Sequence, residues 1–361
     1  MILKPSPQTP TIVEHISEIF LEAGLPQNVI QYFHCGSPSI IEAIVRDPKI
    51  KLVCFTGSIA GGLAVQKAAA DRVVNVGLEL GGKDPAYIRP DVDVAWAAAE
   101  IVDGAIFNSG QSCCSVERVY VHEEIHDIFV EKVQVVLKGY KLGDPSNPET
   151  NIGPVISKRS KEIIEGHIKN ALEKGAKDET PHNSSFESPP PDGNFVKPTL
   201  LVNVNHDMTV MTEETFGPVI PVMKVKSDDE AIQLMNDSEF GLTASVWTKN
   251  TDKGTEIAES IDAGTVFVNR CDFPSPVSRG TLLFFHRLAT DQNLGPRMDR
   301  LEELWKGCDI KQVWIRAIRQ VKELPCQKLS EIDDTNWIFF GLFSGIRRLY
   351  STKTTSKTTS Q

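Results

Sequence analysis

Two adjacent cysteines, Cys113 and Cys114, lie in "FNSGQSCCSV" (residues 107–116), behind a Gly-Gln-Ser turn and between aliphatic segments. A cysteine becomes a nucleophile when it has thiolate character and an open face, and attack on a carbonyl then needs an acid/base partner within reach. Cysteines also serve as small apolar packing, so residue type alone leaves both readings open. Glu79 is the glutamate in a comparably marked context, "GLELGGKDP" (77–85), where a β-rich run meets two glycines. Sites in open α/β sheets gather at the carboxyl ends of strands, which suits a general base there; a solvated loop acid is the other reading. A third mark is "FTGS" (55–58), where a β-rich run, a glycine turn and a helix start leave backbone N–H groups facing an anion. It is not a GxGxxG loop, and an ordinary strand-to-helix turn reads the same way.

These residues need elements to hold them. Apolar spacing predicts helices over 11–23, 39–47, 62–71 and 93–107, alternating with strand-like runs at 28–36, 51–58 and 72–82. That rhythm implies an α/β fold with a parallel sheet covered by helices. Two further helices follow over 125–141 and 157–175. Residues 177–194, "KDETPHNSSFESPPPDGN", have the composition of a solvated loop and read as an insertion. After it come short strands at 195–204 and 218–225, a helix over 228–237, a strand over 243–250, a helix over 252–261 and a strand over 264–269. Beyond residue 278 the character changes to an amphipathic helix over 301–324, and the chain finishes in a disordered low-complexity tail, "STKTTSKTTSQ".

The chain has 361 residues and a formal charge of −10. That acidity argues against a nucleic-acid binder, which needs a basic face for phosphates. The seven cysteines show neither a CxxC pair nor a framework spacing, which suits free thiols in a reducing, cytoplasmic setting. Vicinal cysteines do not match zinc spacings, and no metal site is expected. The opening residues lack a signal-peptide pattern, and the longest apolar run, residues 337–346, is too short for a membrane span.

Six segments, "LKPSPQTP", "FTGS", "LELGGKDP", "NSGQSCC", "EETFGPVIPV" and "GLTASVWTKN", occur in the order that marks the aldehyde dehydrogenase superfamily, and the chain resembles that family over about residues 2–276. The resemblance implies a partial Rossmann-type parallel sheet plus a catalytic α/β domain. Residues 1–80 would be a partial dinucleotide-binding domain and 81–276 the catalytic domain, with a non-family segment at 277–350 and the tail at 351–361. It also implies NAD(P)-dependent oxidation of a small-molecule aldehyde to a carboxylic acid. The family pattern Gly-Gln-x-Cys falls on Gly110, Gln111, Ser112 and Cys113, so the implied nucleophile is Cys113, and Glu79 matches the general base. For NAD or NADP, Lys4 matches the lysine at the adenosine ribose, Gly57 and Ser58 the turn beneath the pyrophosphate, and Glu214 and Phe216 the residues at the nicotinamide ribose.

Three departures from the family pattern carry expectations of their own. The chain begins three residues ahead of "KPS", so the asparagine that completes the family's oxyanion hole is expected to have no counterpart; one such donor is worth about 3 kcal/mol. Pro7 stands where the family places a ribose-gripping glutamate, which predicts little preference between NAD and NADP. After "GTVFVNRCDFPSP" the family's closing segment is absent, so a family-type homo-oligomer is not expected. Together these raise an alternative function, a catalytically impaired remnant of the family.

Overall fold

The apolar spacing of "TIVEHISEIFLEA" produces a helix that buries Val13, Ile16 and Phe20 on one face, as the periodicity predicts. It belongs to the first of two compact units in the computed structural model, which describes residues 1–190 and 193–271. The segment 277–350 and the tail 351–361 lie outside the described residues. Among the described residues the first unit takes Met1–Lys51 with Ala68–Val74; the second takes Leu52–Lys67 and residues 75–271.

In the first unit β1 (Ile2–Leu3) pairs in parallel with β2 (Gln31–Tyr32), joined through α1 (Ile12–Glu22) and followed by α2 (Pro38–Arg46). Its core is Ile16, Phe20, Ala23 and Leu25. The strand-like run 28–36 forms a strand over only its two residues Gln31 and Tyr32. Arg46 pairs with Asp71 at 2.8 Å, and the Arg72 guanidinium donates to the carbonyls of Val45 and Ile50.

The second unit opens with β3 (Leu52–Thr56), α3 (Ile59–Ala69) and β4 (Asn75–Glu79), the two strands forming a parallel ladder of five residues each. Next come β5 (Asp84–Ile88), α4 (Val94–Ile106), β6 (Val116–His122), α5 (His126–Lys138) and α6 (Lys158–Glu173). The chain continues through β7 (Lys177–Asp178), α7 (Ser184–Glu187), β8 (Thr199–Val202), α8 (Thr209–Thr212) and β9 (Val219–Val225). It ends, within the described residues, in α9 (Asp228–Asn236), β10 (Thr243–Trp247), α10 (Thr251–Ala258) and β11 (Thr265–Val268).

Seven of these strands make one sheet in the order β11-β10-β5-β6-β9-β8-β7, parallel throughout except for the antiparallel β7–β8 pair. Alternate residues face two different cores. Ala86, Ile88, Val119, Val121, Ile220 and Val222 pack with residues of α4 and α5, while Tyr87, Tyr120, Leu201 and Val246 pack with residues of α6, α9 and α10. Both faces are covered, as parallel sheets require.

Two further features depart from the sequence reading. The central strands β5 and β6 received no strand assignment, because Asp84 and Pro85 interrupt one and Glu117 and Arg118 stand near the start of the other. The segment 177–194, read as a solvated loop, is tied down. Its first residues pair with β8, Phe186 is buried at 4% exposure in the core, and the Asn183 side chain both accepts from Ser185 N and donates to the Tyr140 carbonyl at 2.9 Å.

Candidate active site

The turn that carries the cysteines begins where α4 ends. Asn108, Ser109 and Gly110 follow with φ of 53°, 59° and 73°, three successive residues in the left-handed region. A non-glycine residue there costs about 1–3 kcal/mol, so the neighbours must hold it. The Asn108 carbonyl accepts from the backbone N and the Nε2 of Gln111, both at 3.1 Å, and Asn108 Nδ2 donates to the Gln111 carbonyl at 3.2 Å. Gln111 Oε1 then accepts from Ile156 N at 2.8 Å, and Ser109 Oγ donates to the Gly153 carbonyl at 2.9 Å. Gly110 admits no side chain: a Cβ would lie 2.1 Å from the Gly217 carbonyl oxygen. In "Gly-Gln-x-Cys" the glycine allows this approach and the glutamine, 2% exposed, brackets the turn.

A Ser115 N–Ser112 O hydrogen bond of 3.1 Å closes the turn around the two cysteines. They end in different surroundings. Cys114 is buried at 4% exposure with its sulfur 3.4 Å from Ser112 Oγ, while Cys113 is half-buried. A hydrogen bond with Cys113, reinforced by burial, holds the Cys114 thiol well above its ordinary range.

Glu79 is the last residue of β4, and its carbonyl accepts from Gly57 N at 3.0 Å, so the turn after β3 is bonded to the end of β4. Its side chain is exposed, and partial burial raises its carboxyl above the ordinary range. Among the described residues the carboxylate makes no hydrogen bond. Ser58, also exposed, accepts from Gly61 N at 3.2 Å through Oγ and from Gly62 N at 2.9 Å through its carbonyl, securing the first turn of α3. Lys4, half-buried, directly follows β1 in the first unit.

The glycines after Glu79 bring the other motifs together. A Cβ on Gly82 would stand 2.3 Å from the Cys113 carbonyl oxygen, and one on Gly81 would stand 2.3 Å from Glu214 Oε1. Gly82 N donates to that same Oε1 at 3.1 Å. The "LELGG" turn therefore touches the Cys113 backbone and the Glu214 carboxylate, across 132 residues of sequence in the second case. Burial, with the neighbouring charge of Glu117, pushes the Glu214 carboxyl up to about 7, against the Gly82 N–H and Lys83, which pull it down.

Beneath this turn lies a buried ion pair that sequence reasoning missed. Lys83 Nζ stands 2.7 Å from Glu117 Oε2, with side-chain exposures of 0% and 4%. Glu117 Oε2 also accepts from Thr215 N at 2.7 Å, and its Oε1 accepts from Phe216 N at 2.8 Å. Lys83 Nζ donates to Thr215 Oγ1 at 3.0 Å, and His167 Nδ1 lies 3.2 Å from the same hydroxyl. Burial pulls the Lys83 ammonium down, and Glu117 opposes that shift. Phe216 keeps a φ of 52° while its own amide and that of Thr215 are fixed by Glu117. One residue further on from Lys83, buried Asp84 accepts from Thr243 N at 3.2 Å and from Thr243 Oγ1, which ties "GLTASVW" to the same loop. The available signal was a charged pair, Glu117-Arg118, inside an otherwise apolar run just after the cysteines.

Residues 1–279 match the aldehyde dehydrogenase family. An aldehyde dehydrogenase of Paenarthrobacter nicotinovorans is 37% identical over 268 residues, which is 74% of this chain and 57% of that protein. The structure of an NADP-dependent glyceraldehyde-3-phosphate dehydrogenase from Bacillus halodurans C-125, complexed with NADP, is similar with a TM-score of 0.68 at 36% identity, covering 76% of this chain and 56% of that one. A Mycobacterium tuberculosis aldehyde dehydrogenase complexed with NAD+ gives a TM-score of 0.69 at 34% identity, over 74% of this chain and 55% of the other. The chain thus spans about half the length of the relatives it matches. Motif order, the glycine-mediated convergence of those motifs and the match over residues 1–279 agree: the chain belongs to the aldehyde dehydrogenase family.

Proposed function

We propose that this site oxidises an aldehyde to a carboxylic acid, with Cys113 as nucleophile, Glu79 as general base and NAD or NADP as the oxidant. The observation that carries the reading is the pairing of a half-buried Cys113 with a turn that also holds the Glu214 carboxylate. Cys113 attacks the carbonyl carbon through its thiolate to form a thiohemiacetal on Sγ, and after oxidation a thioester remains there. Glu79, exposed at a strand end with its carboxyl raised, is suited to take a proton from the water that hydrolyses this thioester. Cys114 stays a packed thiol.

The residues present fit a dinucleotide. Gly57, Ser58 and the first two residues of α3, Ile59 and Ala60, are exposed, and helix-start N–H groups suit a pyrophosphate. Glu214 offers a half-buried carboxylate that accepts hydroxyl donors such as those of a ribose, beside Phe216. The family pattern alone assigns Lys4 to the adenosine ribose or its 2′-phosphate. When bound, NAD or NADP supplies the hydride acceptor. Solved relatives hold NADP in one case and NAD+ in another, which supports the cofactor class and leaves both in play.

The test is iodoacetamide labelling of the native chain near neutral pH with peptide mapping, beside an assay of NAD(P)H formation from a short aliphatic aldehyde. Label is expected on Cys113, and Cys113→Ala should abolish turnover while Cys114→Ala retains it. Preferential label on Cys114 or Cys271, or turnover that survives Cys113→Ala, would sink the assignment.

A further inference from the structure

We infer that Glu117, held by Lys83, is the positioning residue for the Glu214–Phe216 turn and so sets how tightly the site grips its dinucleotide. The inference rests on the cofactor reading above. Its basis is one carboxylate with three donors. Oε2 receives Lys83 Nζ and Thr215 N, and Oε1 receives Phe216 N, all within 2.7–2.8 Å. Charge-assisted bonds of this length are the strong ones, and two of the three fix successive backbone amides of the turn that carries Glu214 on one side and Phe216 on the other. Phe216 needs such fixing, because its φ of 52° is unfavourable for an aromatic residue. Glu214 reaches Gly82 N only while the turn keeps this shape. Lys83 closes the bracket twice, through Glu117 and through Thr215 Oγ1, and its own carbonyl is anchored by Arg118 Nε at 2.8 Å. Neither Glu117 nor Lys83 is placed to touch substrate: each is almost wholly buried, and each acts through the turn.

A glutamine at 117 keeps one oxygen and turns the other into a donor. Set to serve Lys83 and Thr215, it faces the Phe216 N–H with its own NH2 and loses that bond. Glu117→Gln alone leaves an ammonium without its counter-charge in the interior, which can unfold the protein. The double variant Lys83→Met with Glu117→Gln removes both charges at similar volume and serves as the second test.

Three measurements are made on the full chain and both variants: NAD and NADP binding by calorimetry, hydrogen exchange of the 213–217 amides, and the iodoacetamide rate of Cys113 without cofactor. In the double variant the dissociation constant should rise about tenfold, the cost of one lost charge-assisted hydrogen bond. The 215 and 216 amides should exchange faster, and the Cys113 labelling rate should stay within about twofold of wild type, on the same premise that only the turn is released. Unchanged affinity with unchanged exchange at 215 and 216 would overturn the inference. So would a double variant that folds and binds like wild type after a weak-binding single variant, since the effect would then be charge rather than position. If the wild type binds neither dinucleotide, the cofactor reading falls and the grip with it, whereas the exchange data still decide whether Glu117 holds the turn.

Discussion

At the scale of single residues, the site is governed by which polar groups are buried beside which neighbours. Glu214 has the clearest consequence. Its carboxyl titrates near 7 in the folded chain, chiefly through burial, and in the ordinary carboxylate range once unfolded. The native state therefore favours the protonated form, and that contribution to stability, fully present below the ordinary range, is lost as pH rises through about 7. Glu214→Gln keeps an oxygen for Gly82 N and cannot ionise. Relative to wild type it should gain stability between pH 5 and pH 8 by on the order of 1–3 kcal/mol, read as the difference in urea midpoints. A gap that does not change with pH would show that Glu214 titrates normally. Cys113, Glu79, Glu214 and Phe216 were legible as candidates because each sits in a local motif. Lys83 and Glu117 were not, although Lys83 lies inside one of those motifs. Their meaning depends on partners 34 and 98 residues away, and a charged residue in a short run reads as surface until its partner is known.

Secondary-structure elements were legible to the degree that their signal is local. The helices α1, α4, α5 and α6 follow from spacing within one element, and the structure forms each of them within a few residues of the reading. β5 and β6 depend on burial from both faces, and polar residues at their starts hide it. Asp84 and Glu117 are tolerated there because Thr243, Thr215 and Phe216 bring donors from other elements. The 177–194 segment fails in the opposite sense: polar composition conceals Phe186, which fills space in the same core as α4 and α5. Phe186→Ala should then cost about 3–5 kcal/mol by urea unfolding, the loss typical of a buried phenylalanine. A cost near zero would restore the solvated-loop reading.

At the scale of the whole molecule, the two units differ in what holds them. The first rests on Ile16, Phe20, Ala23 and Leu25 with four partly buried neighbours, and its strands are two residues each. The second unit carries two clusters on the two faces of a seven-stranded sheet, with β5, β6, β8 and β9 wholly or mostly buried. Hydrophobic stabilisation scales with buried apolar area, and opening free energies follow it locally, so amide exchange should divide along this boundary. Amides of α1 and α2 should exchange at least about a hundredfold faster than those of β5, β6 and β9, a difference of roughly 3 kcal/mol in opening free energy. The 108–111 turn should follow the slow group despite being loop, because Asn108, Ser109 and Gln111 are bonded to one another or to residues 153–156. Native-state hydrogen exchange with peptide-level mass readout measures all three regions in one experiment. Uniform protection across both units would mean that they unfold as one body, and a fast 108–111 turn would remove the rigid support on which the Cys113 assignment depends.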